Sequence, residues 1–313
     1  MKRQKGASED SARAMRVPKK ESRGDRTLFM LLISLLCCLA AAVGLTIGLS
    51  AGFGTLFRMW GVDSSSVARA PAWALWLYYG SGSLVSLAIG AVWIAICRVL
   101  RRKWLGDTEL VGQPRPRAFA LCALGGLAVA ALPVIVFLLA DSLRLDGTHG
   151  GRLSVSSWIW LASTLIILLG EECLTKRLVY DGVRAGWGRA WAAAIATVVF
   201  FAVNTGWAGN IASGANVLMM ALITVQLYDR GGLWASVGAR WGWSVGTSML
   251  FGGGSLALLR TYGVSETWLT GGDAGAAFGW GATLLLAACL AFMNRHLLAE
   301  SVSRRRHREE KRG

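Results

Sequence analysis

The 313-residue sequence is poor in charge and almost without histidine. Only 16% of its residues are charged against 54% that are apolar, a balance that excludes an ordinary soluble domain and points to a polytopic membrane protein. The three histidines, His149, His296 and His307, all fall outside the apolar runs, so no imidazole is available at membrane depth. The six cysteines, Cys37, Cys38, Cys97, Cys122, Cys173 and Cys289, lie in or at the ends of apolar runs and show no CxxC spacing. That pattern excludes zinc-ligand and disulfide frameworks and leaves them as small buried hydrophobes. No internal repeat stands out, and no pair of interrupted apolar segments sits in equivalent halves, which argues against a small transporter.

What the chain does have is a series of apolar runs, each near the roughly 20 residues that cross a bilayer. They span about Leu28–Ser50, Ala72–Cys97, Ala118–Ala140, Val155–Ala185, Ala190–Asn204, Ile211–Tyr228, Leu233–Phe251 and Ala274–Met293. The third carries Pro133, a kink that neighbouring helices accommodate, and the fourth is long enough to project beyond the bilayer. The first run has a basic leader too long for a signal peptide, and Cys38 is not preceded by the small residue of a lipoprotein cleavage site, so a retained span is expected. The expected fold is all-α, with about eight transmembrane helices in the cell membrane.

The charge excess, 33 bases over 18 acids, is placed unevenly and tests this arrangement. With the N terminus inside, the cytoplasmic side holds 27 Lys and Arg and the outer side five, with Arg240 inside a span. That bias orients the chain with both termini cytoplasmic. The tails 1–27 and 294–313, the latter with Arg304, Arg305, Arg306 and Arg308, read as disordered basic segments against anionic lipid, not as nucleic-acid binders. Trp60, Trp73, Trp104 and Trp187 near span ends suit interfacial belts.

Against this background the segment Gly170-Glu171-Glu172-Cys173-Leu174-Thr175-Lys176 stands out. Two adjacent carboxylates follow the apolar run Trp158–Leu169 without a break. Ionisable residues at that depth mark a functional site by default.

The order Glu171-Glu172, then Lys176, then Leu178-Val179-Tyr180 resembles the Glu-Glu-x-x-x-Arg helix of the CAAX protease and bacteriocin-processing family, also called the Abi family. Phe200-Phe201-Ala202-Val203-Asn204 is similar to its Phe-x-x-x-His block. Gly231-Gly232-Leu233-Trp234, followed by Arg240 and Ser244, is similar to its last block, where a Gly-Ser-Leu-Trp turn precedes His-x-x-x-Asn. The resemblance covers about residues 155–250 and divides the chain into the N-terminal tail, three spans over 28–150, a family-like core over 151–293 and the C-terminal tail. It implies an intramembrane peptidase in which the first Glu activates water while two His and an Asn bind metal or stabilise an oxyanion. By position, Glu171 and Glu172 match, Lys176 stands for the Arg, Asn204 and Arg240 for the two His, and Ser244 for the Asn.

Zinc is expected for the family, but a guanidinium offers no lone pair and stays protonated, and a catalytic zinc wants about three protein ligands. With the histidine ligands replaced, no metal cofactor is expected. Arg240 is instead expected to pair with Glu171 and Glu172, with Lys176 as a second cation one turn along and Arg240 somewhat nearer the cytoplasmic face than Glu171. Two functional readings follow. One is a metal-free peptidase on a membrane or peptide substrate, with Glu171 as general base, Lys176 or Arg240 as oxyanion stabiliser and Asn204 as donor. The other is a non-catalytic membrane scaffold, or a peptide-binding or immunity protein, built on a Glu–Arg core. The lipid bilayer is a partner in both.

Overall fold

The structure, a computed structural model, describes residues 72–104, 109–145, 155–204, 210–251 and 279–295 continuously, with parts of 33–59 and 258–275. The expected tails, most of the first apolar run, the glycines 252–254 and all three histidines lie outside the described residues.

The described chain is all-α apart from one short ribbon. Its elements are α1 (Ala72–Trp104), α2 (Pro116–Leu139), β1 (Leu143–Leu145), α3 (Val155–Glu172), α4 (Asp181–Val203), α5 (Ile211–Gly231), α6 (Leu233–Ser244), β2 (Thr261–Gly263), α7 (Thr267–Thr270) and α8 (Trp280–Met293). Wider π-helical segments extend α3 over Cys173–Tyr180 and α6 over Val245–Leu250. The antiparallel ribbon pairs Leu143 with Gly263 and Leu145 with Thr261. Among the described residues four helical stretches are long and apolar enough to cross a membrane: Gly80–Lys103, Pro116–Leu139, Trp158–Val203 and Ile211–Gly231.

The longest of these is not one rod. Lys176 Nζ lies 5.1 Å from the centre of the Phe200 ring, whereas 24 residues of straight helix would part them by about 36 Å at ~1.5 Å per residue. The reversal is at Gly188, whose φ of 83° and ψ of 178° break the helix between the two. A side chain at that φ would be strained, so glycine is what the corner requires. The fourth and fifth apolar runs therefore form a helical hairpin, and the fourth passes through a π segment on its way there. Gly232, at φ 79°, makes the corner between α5 and α6 in the same manner.

Small residues decide which helices meet. Gly238 and Gly242 on α6 face Phe119 and Ala123 of α2, and Gly126 of α2 faces Ala239; a Cβ at Gly242 would overlap the Ala123 carbonyl. Gly246, one turn on, meets Ala130. This spacing of four puts the glycines on one stripe of the helix and lets the backbones approach, as apolar helices do in lipid. Gly90 and Gly170 perform the same service for α1 and α3, since a Cβ on Gly170 would stand 2.8 Å from the Gly90 carbonyl. Gly170 immediately precedes Glu171, so this crossing fixes the height of the glutamates. Large apolar side chains such as Leu121, Leu124, Leu139, Val198 and Leu284 point outward and are more than 60% exposed, the pattern of a surface solvated by hydrocarbon.

Polar ties hold the remaining helices in register. Asn210 and Ser213 form a reciprocal cap at the start of α5, with Ser213 N donating to Asn210 Oδ1 at 2.7 Å and Asn210 N to Ser213 Oγ at 3.0 Å. Thr283 donates to Asn216 Oδ1 at 2.6 Å, and Arg230 Nη2 to the Met293 carbonyl at 2.8 Å, fastening α8 along α5.

Candidate functional site

Glu171 and Glu172 end α3, and the wider turn of the π segment begins at Cys173. Thr175 Oγ1 donates to the Glu171 carbonyl at 2.9 Å, meeting one of the main-chain acceptors at that junction. π-Helical turns inside longer helices gather at functional sites, and here the junction directs both carboxylates to one cation.

That cation is Arg240. Its Nη2 lies 2.5 Å from Glu171 Oε2 and its Nη1 3.3 Å from Glu172 Oε1. Nη2 also donates to Asn204 Oδ1 at 3.0 Å. The Asn204 amide nitrogen is spent on the Phe200 carbonyl at 2.9 Å, where the residue caps α4. Glu172 has two further partners: the Ser236 hydroxyl donates to its Oε2, and Lys176 Nζ lies 3.7 Å from the same oxygen. Lys176 has no hydrogen-bond partner among the described residues and rests over the ring of Phe200, which also carries the Arg240 guanidinium at 4.4 Å. Cations over an aromatic face are attracted to its quadrupole, more so when desolvated. Two carboxylates, a guanidinium and an ammonium thus form a quartet of zero net charge.

Access separates the two acids. The side chains of Glu172 and Lys176 are fully buried, while those of Arg240 and Glu171 are 7% and 10% exposed. Glu171 and Arg240 reach a cavity of about 210 Å³ that also borders Asn204, Phe200, Trp160 and Ser244.

Of the residues singled out in the sequence, Glu171, Glu172, Lys176, Asn204 and Arg240 converge within one network. The Arg240 guanidinium reaches both glutamates from α6, which starts at the Gly232 corner seven residues earlier. Ser244 is not part of the network; it lines the cavity one turn further on. Lys176 contacts Glu172 and not Glu171, as its position four residues after Glu172 dictates.

Ser236 was missed, although a signal for it exists. Ser236, Arg240, Ser244 and Ser248 recur every fourth residue and so form one polar stripe, while Gly238, Gly242 and Gly246 are offset by two residues, about 200° around the helix. The glycine stripe packs on α2, and the opposite stripe is thereby turned to the glutamates and the cavity.

A second polar cluster also escaped the sequence reading. Tyr180 donates to Asp229 Oδ1 at 2.7 Å and Tyr228 to Asp181 Oδ2 at 2.8 Å, so two Tyr-Asp dipeptides exchange partners. The rings meet edge to face at 5.7 Å. Arg101 and Arg177 flank Asp181, and Arg184 and Arg189 flank Asp229, the closest contact being Arg189 Nε to Asp229 Oδ2 at 2.8 Å. Arg101 also donates to the Arg177 carbonyl at 2.6 Å. This cluster ties the helix of the glutamates to the helix that leads into Arg240.

No curated protein and no solved structure matches the chain. A family comparison does: residues 153–246, under a third of the chain but including every member of the quartet and Ser236, match the model described as Type II CAAX prenyl endopeptidase Rce1-like, the family that the three motifs resemble.

Proposed function

We propose that this is a multi-pass protein of the cell membrane that keeps the helical core of an intramembrane peptidase but not its hydrolytic centre, and that the core serves to bind a peptide segment of a membrane partner. The observation that carries the reading is the position of Arg240, which bridges Glu171 and Glu172. A general base needs a carboxylate oxygen directed at a water; the guanidinium takes Glu171 Oε2, so Oε1 is the oxygen left to face the cavity, on a carboxylate already bound to a cation. An oxyanion needs donors held ready for it, and both Nη2 protons of Arg240 are directed at Glu171 and Asn204. The two cations of the site face its two carboxylates, so a developing anion would have to compete with Glu171 and Glu172 for them.

The same geometry argues against zinc. Among the described residues no three His, Cys, Asp or Glu side chains group so that they could hold a metal ion, and a divalent ion between the glutamates would have to displace a fixed cation. For topology, the reading is eight spans with both termini cytoplasmic, supported by the coincidence of described helices with the apolar runs from Ala72 onward and by the Lys and Arg bias.

The test is an assay of the purified protein in lipid nanodiscs against a farnesylated fluorogenic peptide, beside Glu171→Gln. The expected result is no cleavage above the variant's background and sub-stoichiometric zinc by elemental analysis. Cleavage that disappears in Glu171→Gln would establish the metal-free peptidase instead, and stoichiometric zinc would overturn the argument from Arg240.

A further inference from the structure

The helical hairpin reverses at Gly188, and every residue from Arg184 to Trp191 is exposed. Backbone that departs from helical geometry is tolerated at membrane depth only where protein or a water-filled cavity surrounds it. An exposed reversal in the middle of the apolar stretch Trp158–Val203 therefore lies at the membrane surface, where the two arms of the hairpin leave the hydrocarbon.

Two cations and two aromatic side chains occupy that corner. Arg184 Nη1 lies 3.0 Å from Asp229 Oδ1 and Arg189 Nε 2.8 Å from Asp229 Oδ2, so one carboxylate holds the two guanidinium groups side by side. The carboxylate is sunk and the cations are not: its side chain is 9% exposed, against 52% and 63% for the two arginines. Asp229 is the only carboxylate that contacts either arginine among the described residues, and it also accepts from Tyr180. Asp181, the other acid of the cluster, is engaged by Arg101, Arg177 and Tyr228. The corner thus presents an excess positive charge, with guanidinium N–H groups beyond those that meet Asp229. Trp187 and Trp191 stand beside it, both exposed, their ring centres 6.4 Å apart and edge to face. Indole rings at a membrane surface sit at the level of the headgroups.

We infer that the Gly188 corner is a lipid site, in which Arg184 and Arg189 together hold the phosphate of an anionic phospholipid and Trp187 and Trp191 seat the corner among the headgroups. A phosphate diester supplies acceptor oxygens for both guanidinium groups and the negative charge that Asp229 leaves unmatched. A zwitterionic headgroup brings a cation of its own, which finds no spare acid at the corner. On the topology proposed above the corner faces the cytoplasmic leaflet, whose surface is the anionic one. The inference rests on the membrane reading alone and holds whether or not the core hydrolyses peptides.

The experiment takes the full chain in detergent micelles and counts lipid adducts by native mass spectrometry, with phosphatidylglycerol and phosphatidylcholine of identical acyl chains as probes. Phosphatidylglycerol is expected to fill the first site at least about tenfold more tightly than phosphatidylcholine, one decade in Kd. Arg184→Gln with Arg189→Gln is expected to weaken phosphatidylglycerol about tenfold or more and to leave phosphatidylcholine nearly unchanged. Removing the same two charges from the C-terminal tail, as Arg304→Gln with Arg305→Gln, should change either lipid by no more than about twofold. Excess inorganic phosphate should leave the phosphatidylglycerol adduct in place; its displacement would assign the site to a soluble anion and overturn the lipid. Equal binding of the two lipids by the unaltered protein, or no adduct of either, overturns the inference without reference to how any variant folds. Equal losses in the corner and tail variants overturn it as well. Incorporation of the protein into vesicles of phosphatidylcholine alone tests the membrane reading by itself, so the two failures are told apart.

Discussion

Tyr180 and Asp229 are joined across 49 positions of sequence by a hydrogen bond of 2.7 Å, and its counterpart from Tyr228 to Asp181 makes the exchange reciprocal. Because both tyrosines are buried, loss of either hydroxyl leaves an aspartate with one partner fewer in a crowded place. Tyr180→Phe and Tyr228→Phe are each expected to lower stability by about 1 kcal/mol. The double variant should cost more than the sum, since either bond alone still aligns the two helices. Thermal unfolding in a mild detergent measures this, and strict additivity would show that the two bonds act independently.

The glycines of α6 yield a contrast that side-chain chemistry cannot explain away. Gly242→Ala adds one methyl group against the Ala123 carbonyl, and backbone cannot step aside as a flexible side chain can. The expected cost is about 1–3 kcal/mol, typical of overpacking. Gly80→Ala adds the same methyl to a helix where nothing lies within 4 Å, and should be neutral or stabilising by several tenths of a kcal/mol. Equal effects in the two variants would mean that the contact between α2 and α6 is looser than the structure has it.

How much of this was legible in the sequence depends on the range over which each feature is written. Glu171, Glu172 and Lys176 share one helical stretch, and Arg240 was the one cation placed inside a span, so charge balance at the matching motif positions proposed the pairing that the structure forms. The runs from Ala72 onward overlie the described helices, although α1 continues seven residues past Cys97 and α8 begins at Trp280 and not at Ala274; the helix break fell between Ala185 and Ala190, where Gly188 lies. The π segments carry no residue pattern of their own and were read as plain helix. The exchange between Tyr180-Asp181 and Tyr228-Asp229 depends on the relative register of two helices, which no local period encodes. Ser236 is a different kind of omission, because the four-residue repeat through Arg240 was available and pointed to it.

Lys176 is the most exposed to test of the quartet in energetic terms, although it is as fully buried as Glu172. Its ammonium contributes a 3.7 Å ion pair and a place over Phe200 but makes no hydrogen bond among the described residues. Desolvating such a cation offsets much of what the ion pair contributes. Glu172 retains Ser236 and Arg240 when the amine is removed. Lys176→Met, of similar length, is therefore expected to change stability by no more than about 1–2 kcal/mol. Ser236→Ala should cost about as much, because it takes from Glu172 a bond to a charged acceptor, worth roughly 1.5–3 kcal/mol. Unfolding of the two variants side by side checks the pair of values; a loss in Lys176→Met as large as that in an Arg240 variant would place the centre of the network at the lysine.

Arg240 is different because three acceptors converge on it and no second group can serve all three. Arg240→Met leaves Glu171 and Asn204 without a cation and Glu172 with Lys176 alone at 3.7 Å, and should cost about 3–5 kcal/mol, as removal of one partner from a buried ion pair does. Glu171→Gln should cost less, since the carboxamide oxygen still accepts from Nη2 and Glu172 still balances the guanidinium. The informative variant is the exchange, Glu171→Arg with Arg240→Glu. It restores the pair that is 2.5 Å long in the parent but turns the new carboxylate towards Glu172, so the recovery should be partial. A coupling energy of at least about 1 kcal/mol between the two positions is expected, within the range seen for residues of one ion-pair network. Stability of the two single variants and the exchange, measured together, gives that coupling directly. A value near zero would mean that the glutamates and the arginine hold the helices separately, and the argument that Arg240 occupies the place of a catalytic centre would lose its basis.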